Sequence, residues 1–196
     1  MNMLDKSVSM YGKTGVVTDD VVKTVDDVIS YVGKEINFAM TLGLGKPALF
    51  INELYRRAKE DPSIKLNIFT ALSLEMPRGN SELAQRLVGP LVERIFGGSP
   101  VFEYMADIRD GRLPENVQLF EFYSKAGSIM SRPMSQRNHL PSHYTHVARD
   151  AFFSNGVNVF GQLITSKEVN GKKIYSMGCN TDICVGALEL LQYGKK

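Results

Sequence analysis

One stretch limits the architecture of this chain more than any other. Ile36 to Leu42 is an apolar run of strand character, Gly43-Leu44-Gly45-Lys46-Pro47 is a turn, Ala48 to Asp61 has helical spacing, and Ile64 to Leu74 is a second apolar run. Strand, glycine-bearing turn, helix and strand make the pattern of a parallel crossover unit. The second run carries β-branched and large apolar residues on both faces, which suits an interior strand of a parallel sheet. The expected fold class is α/β: an open, mostly parallel sheet flanked by helices.

The turn also gives the first functional reading. A glycine-bearing turn between strand and helix sets backbone N–H groups and a helix N-terminus at the strand's carboxyl end, where α/β folds bind anions. Pro47 suits the first helical position, where its missing N–H costs nothing. Gly43-x-Gly45 lacks the third glycine of a dinucleotide fingerprint, and Lys46 is followed by Pro47 instead of the Ser or Thr of a phosphate-binding loop. A tight turn needing positive φ accounts for these glycines as well as a ligand cradle does.

The chain has 196 residues, 43% hydrophobic and 22% charged, which is enough for one α/β domain with a sizeable core. Its net charge of +2 comes from dispersed basic residues, unlike the basic stripe of a nucleic-acid binder. No window holds eighteen uninterrupted apolar residues and no basic-then-apolar leader opens the chain, so the expected location is cytoplasmic, without a membrane segment. Two cysteines, Cys179 and Cys184, are too few for a disulfide framework.

Residues 1–18 form a lead-in segment and 19–196 one domain. Thr18 is the expected N-cap of a helix carrying Val21, Val22, Val25, Val28, Ile29 and Val32, which Gly33 stops. From Ser81, Leu83, Leu87, Val88, Leu91, Val92, Ile95 and Phe96 form another helical stripe, and Gly89-Pro90 predicts a kink or two short helices. Pro100 to Gly111 is ambiguous. Gln118 to Tyr123 reads as a strand, Ser124 to Met130 as a short helix, and Arg132 to His146 as a loop leading into a helix over Thr145 to Ser154. Val157 to Ser166 is a strand, Asn170-Gly171 a hairpin turn, and Val185, Leu188 and Leu191 belong to a last helix.

Other residues invite chemistry. His139, His143 and His146 are clustered, but Pro141 breaks any helix that would align the first two, and no cysteine or carboxylate at ligand spacing joins them. A polar loop lining a pocket, with Asn138, Tyr144 and Arg149 as neighbours, is the preferred reading over a metal site. Cys179 and Cys184 flank an expected helix start, where a thiolate would be activated, yet two small buried residues explain them better. Glu75, Glu121 and Asp182 each lie near an expected strand's carboxyl end, as bases, nucleophiles, caps or ion-pair partners.

Several strings taken together resemble one family. They are Gly43-Leu44-Gly45-Lys46-Pro47, Phe69-Thr70-Ala71-Leu72-Ser73-Leu74-Glu75, Pro114-Glu115-Asn116-Val117 with Glu121-Phe122-Tyr123, Tyr144-Thr145-His146-Val147-Ala148-Arg149-Asp150, and Tyr175-Ser176-Met177-Gly178-Cys179-Asn180-Thr181-Asp182. In this order they resemble the amino-terminal half of the acetyl-CoA hydrolase / CoA-transferase family, over roughly residues 19 to 193. The resemblance implies a domain shared by CoA-transferases and sugar-phosphate isomerases, acting on an acyl-CoA and a small carboxylic acid. It implies a carboxyl-terminal domain of the same protein as partner, a homodimer for the full-length form, and no cofactor apart from the coenzyme A of the substrate. The attacking glutamate of that family belongs to the carboxyl-terminal half, so no catalytic residue is carried over to this chain. What carries over is a substrate-facing role for Gly43, Leu44, Gly45, Lys46 and Pro47, and for Asn138 and Tyr144 near the acyl or carboxylate end. Lys46 departs from the smaller or different residue common in the family. A stand-alone CoA-binding or regulatory module and a sugar-phosphate isomerase-like enzyme are the alternatives.

Overall fold

A computed structural model of the protein describes residues 17–73, 75–127, 131–178 and 183–193. Its elements are α1 (Val21–Val32), β1 (Glu35–Met40), α2 (Ala48–Glu60), β2 (Lys65–Thr70), α3 (Glu82–Phe96), α4 (Glu103–Asp110), β3 (Val117–Glu121), α5 (Pro133–Arg137), α6 (Val147–Asn155), β4 (Val159–Gly161), β5 (Thr165–Val169), β6 (Lys172–Ser176) and α7 (Cys184–Tyr193). Strands β1 to β4 make one sheet in the order β3-β2-β1-β4, every pair parallel, while β5 and β6 form a separate antiparallel hairpin. The chain is thus an open α/β fold, with β2 interior as its two apolar faces require.

Alternation along the strands divides the core in two. Ile36, Phe38, Met40, Leu66, Ile68, Val117 and Leu119 face one side, where Val25 of α1, Leu54 and Tyr55 of α2, and Tyr104 and Ile108 of α4 cover them. Ala39 and Phe69 face the other side, together with Phe122, under Val147 and Ala151 of α6 and Ile183 ahead of α7. Each large side chain fully buried in these clusters contributes about 2 kcal/mol from burial. The valine-rich α1, a weak helix by propensity, is held by this packing.

Buried amides lock the elements in register. Asn52 of α2 is 5% exposed; its Nδ2 donates to Val101 O at 2.7 Å and its Oδ1 accepts from Glu103 N at 3.0 Å. It therefore caps α4, whose own N-cap residue Phe102 offers no side-chain hydrogen bond. Asn116 Nδ2 donates to both Ala58 O and Ile64 O at 2.8 Å, fixing the start of β3 against the α2–β2 connection. Asn52→Ala is expected to cost about 1–2 kcal/mol, the loss of a cap with a buried partner. A urea midpoint equal to that of the parent chain would refute this capping role.

Several elements differ from the sequence expectation. The N-cap of α1 is Asp20, whose carboxylate accepts from Lys23 N, and Thr18 instead supports Asp20 by accepting its N–H. Pro47 is the N-cap of α2 and not its first helical residue. Helix α3 is one continuous element through Pro90. The carbonyl that Pro90 leaves without a donor belongs to the exposed Arg86, where water can satisfy it. The ambiguous segment contains α4, and the polar loop contains the short helix α5, begun by Pro133. Residues 124–127 end in a turn instead of starting a helix, and 128–130 lie outside the described residues. The expected strand from Val157 to Ser166 is broken: β4 pairs with β1, and after residues 162–164 the chain enters the hairpin. Asn170 and Gly171 both have positive φ, 51° and 72°, as the turn chemistry of that hairpin demands. Among the described residues no helix is long and apolar enough to cross a membrane.

Candidate functional site

The carboxyl edge of the sheet gathers buried polarity. Of the seven buried polar residues among those described, five lie there: Thr41, Lys46, Thr70, Ser73 and Glu121. Parallel pairing explains the gathering, because residues following β1, β2 and β3 all exit on one side. Thr70 and Glu121 are register partners, so both project on the α2–α4 side of the sheet.

Lys46 is 6% exposed and turned inward. Its Nζ donates to Thr41 O at 2.7 Å, Thr70 Oγ1 at 2.6 Å and Ala71 O at 2.6 Å. An ammonium has three N–H bonds to give, and these buried oxygens accept from it, which offsets its desolvation. The side chain thereby straps the Gly43–Pro47 turn across the ends of β1 and β2. Its charge is committed to this cage and is not presented to solvent. From the other side Leu163 N donates to Gly45 O at 2.7 Å, so the exit of β4 also grips the turn. Between these grips Leu44 is 84% exposed at the tip. Pro47 makes no side-chain cap, and Ala48 N, the first N–H of α2, donates to Lys46 O at 2.9 Å.

A second turn, after β2, is held beside the first. Leu72 adopts φ 49°, a left-handed conformation that costs a non-glycine residue about 1 kcal/mol. Three contacts impose it: Leu72 N donates to Tyr123 O at 2.7 Å, Ser73 N to Glu121 Oε1 at 2.9 Å, and Ser73 Oγ meets Tyr104 Oη at 2.9 Å. Tyr104 is fully buried, and burial pushes its phenol far above the ordinary range, with the neighbouring Glu121 charge adding to the rise and the Ser73 contact opposing it. Glu121 is 5% exposed. Its carboxylate is thus a clamp on the turn, which is chemistry a strand-end carboxylate could have been expected to spend on substrate. Glu75 pairs with Arg109.

The remaining sequence candidates lie elsewhere. Asn138 ends α5 at the β3 edge and donates to Gln118 Oε1 at 3.3 Å. Segment 139–140 then runs beside β3, His139 bridging Glu121 and Leu140 N donating to Glu121 O at 3.2 Å. His139, His143, Tyr144 and His146 are exposed; the rings of His143 and His146 stand 6.1 Å apart, edge to face. Asp150 accepts from Ser142 Oγ at 2.6 Å and from Arg149 Nε at 2.8 Å, contacts that hold its carboxyl below the usual range. No group of three or more His, Cys, Asp or Glu able to hold a metal occurs among the described residues. Cys184 is buried; Cys179 and Asp182 lie outside the described residues. A cavity of about 260 Å³ on the opposite face is lined by Asn37, Asn67, Phe69, Phe120, Ser154, Asn155 and Val157, none of them titratable.

Sequence reasoning missed Thr41, Thr70, Ser73 and Tyr104. The available signal was threonine closing two apolar strands, Thr41 after Met40 and Thr70 after Phe69. No family model, no curated protein and no solved structure matches this chain.

Proposed function

We propose that the chain is the amino-terminal lobe of an acyl-CoA hydrolase or CoA-transferase, the attacking glutamate being supplied by another lobe. The observation that carries this reading is the ordered likeness of the strings, several of which the fold sets side by side. Three of the strings on which the resemblance rests, at 43–47, 69–75 and 121–123, are far apart in sequence. They meet at one sheet edge through the Lys46 cage and the Glu121–Ser73 contact. Parallel pairing brings whatever follows β1, β2 and β3 to this edge, so the placement is compatible with a shared site while the likeness of the strings carries the reading.

On this reading the glutamate carboxylate attacks the acyl-CoA carbonyl, the C–S bond breaks, and CoA leaves as thiolate. The thiolate then attacks the glutamyl carbonyl of the anhydride, releasing the acyl carboxylate and leaving a glutamyl-CoA thioester for water or an acceptor carboxylate to resolve. The strapped Gly43–Pro47 turn supplies backbone N–H groups toward the oxyanion that develops in each step. This reading is preferred to an isomerase working through a carboxylate base, because Glu75 is paired with Arg109 and Glu121 holds Ser73 N. Cytoplasmic residence and assembly of the full-length form as a homodimer belong to the same proposal.

The test is acetyl-CoA turnover, with and without acetate or succinate as acceptor. The isolated chain is expected to fall short of a complete enzyme by about 10⁴-fold or more, the usual cost of a missing nucleophile. Robust turnover by this chain alone would overturn the proposal. So would a reading frame that stops at Lys196, since the stand-alone module would then be the better account.

A further inference from the structure

Asparagine is an uncommon choice for interior strands of a parallel sheet, which are apolar where helices cover both faces. Asn37 of β1 and Asn67 of β2 are register partners, and so are Asn67 and Gln118 of β3. Two residues further along, Phe69 and Phe120 pair in the same way. One face of the sheet therefore carries a row of amides beside a pair of aromatic rings. Phe69 is buried under α6, while Phe120 is only half-buried. Helix α6 ends at Asn155, and the Gly156 turn, at φ 58°, leads the chain back toward β4. A cavity of about 260 Å³ is left between Ser154, Asn155 and the sheet.

The amide network fixes what this cavity presents. Asn37 Nδ2 donates to Gly156 O at 3.1 Å, which sets the orientation of its side chain, and Asn67 Nδ2 donates to Asn37 Oδ1 at 2.7 Å. Asn67 thereby keeps one N–H and its Oδ1, and among the described residues no group pairs with either. Phe69, Phe120 and Val157 supply apolar walls, and no lining residue is titratable. A matching ligand is flat, uncharged, and carries a donor beside an acceptor. The volume falls just below the roughly 300 Å³ at which small-molecule pockets begin, room for one fused ring pair and not for a dinucleotide. An asparagine amide pairs in this two-bond manner with the amino group of adenine and the ring nitrogen beside it, and aromatic side chains pack on the base.

We propose that this cavity binds an adenine-type purine, as free base or nucleoside, with Asn67 reading its amino edge and Phe120 lying against its ring. The site needs only the present chain and holds whether or not the chain handles acyl-CoA.

The test is titration of the intact isotope-labelled chain with adenosine, followed through the side-chain amide signals of Asn37 and Asn67 and the backbone signals of Phe120 and Asn155. Binding is expected to saturate with a dissociation constant of about 0.1–1 mM, as suits so small a ligand. Inosine, with a carbonyl where adenosine has its amino group, sets an acceptor against Asn67 Oδ1 and should bind about tenfold more weakly. Adenosine monophosphate should match adenosine, because no cation lines the cavity to receive its phosphate. Asn67→Leu should abolish binding, but it also strips Asn37 Oδ1 of its donor. Ser154→Trp, at an exposed position on the cavity mouth, should therefore block binding with an unchanged thermal midpoint. Shifts that do not saturate by about 10 mM, well past the expected range, overturn the proposal. So do equal binding of inosine, tighter binding of the monophosphate, or binding indifferent to Ser154→Trp.

Discussion

Lys46→Met is expected to destabilise the chain by about 2–4 kcal/mol, measured as a lowered urea midpoint with unchanged slope. Removal of the ammonium leaves Thr41 O, Thr70 Oγ1 and Ala71 O facing an apolar side chain. A buried acceptor stripped of its donor costs about 1–3 kcal/mol, offset in part because the charge no longer has to be desolvated and because the Thr70 hydroxyl still reaches Thr41 O at 3.3 Å and Ala71 O at 3.4 Å. Lys46→Arg should not rescue, since a planar guanidinium cannot direct three N–H bonds into a cage built for a point charge. Amide exchange across 42–47 should quicken in both variants, as the turn loses its strap to β2. A midpoint within experimental error of the parent would show that the cage is incidental.

Asp107→Ala is expected to cost about 2–4 kcal/mol. Asp107 of α4 is 8% exposed and accepts from Tyr55 Oη at 2.6 Å and Lys59 Nζ at 2.8 Å, both on α2. Tyr55 is fully buried, so truncation strands its hydroxyl in the core beside a new void. Burial works against the charged form of Asp107. The hydrogen bonds from Lys59 and Tyr55, with the Lys59 and Arg112 charges, outweigh it and hold the carboxyl below the ordinary range. Asp61 is lowered as well, to about 2, through hydrogen bonds from Lys34 and Ser63. Carboxyls depressed in the folded state stabilise it fully above the unfolded pKa of about 3.9 and lose that contribution as pH falls through the folded pKa. Stability of the parent should therefore drop between about pH 4 and pH 2. Asp107→Asn should flatten part of that slope, and an unaltered acid limb would show that Asp107 does not titrate with unfolding.

These two residues also show where reading the chain succeeds and where it stops. The crossover unit was legible because burial on both faces of β2 leaves a run of apolar residues that needs no partner to recognise. The stripe of α3 was equally legible, but not that it faces outward, since periodicity marks a face without saying what lies against it. Lys46 stood in view as a substrate-facing residue through the resemblance, and its neighbours in sequence say nothing of Thr70 or Ala71, its acceptors. Glu121 was one carboxylate among several until Ser73 N was found on it. Pro90 predicted a kink or two short helices, and of these the division does not occur, since the carbonyl that loses its donor belongs to the exposed Arg86.

By itself, then, the sequence determined the α/β class, the parallel crossover at β1–α2–β2, the hairpin at Asn170-Gly171 and the glycine turn at a strand's carboxyl end. Each is written in local periodicity or in the φ a residue tolerates, and so survives without knowledge of the rest of the chain. Only the tertiary structure decided that Lys46 points inward, that Glu121 clamps a left-handed Leu72, and that Leu83, Leu87 and Leu91 of α3 stand exposed. Those outcomes turn on which atoms meet across the sheet edge, and the contact between residues dozens of positions apart has no local signature.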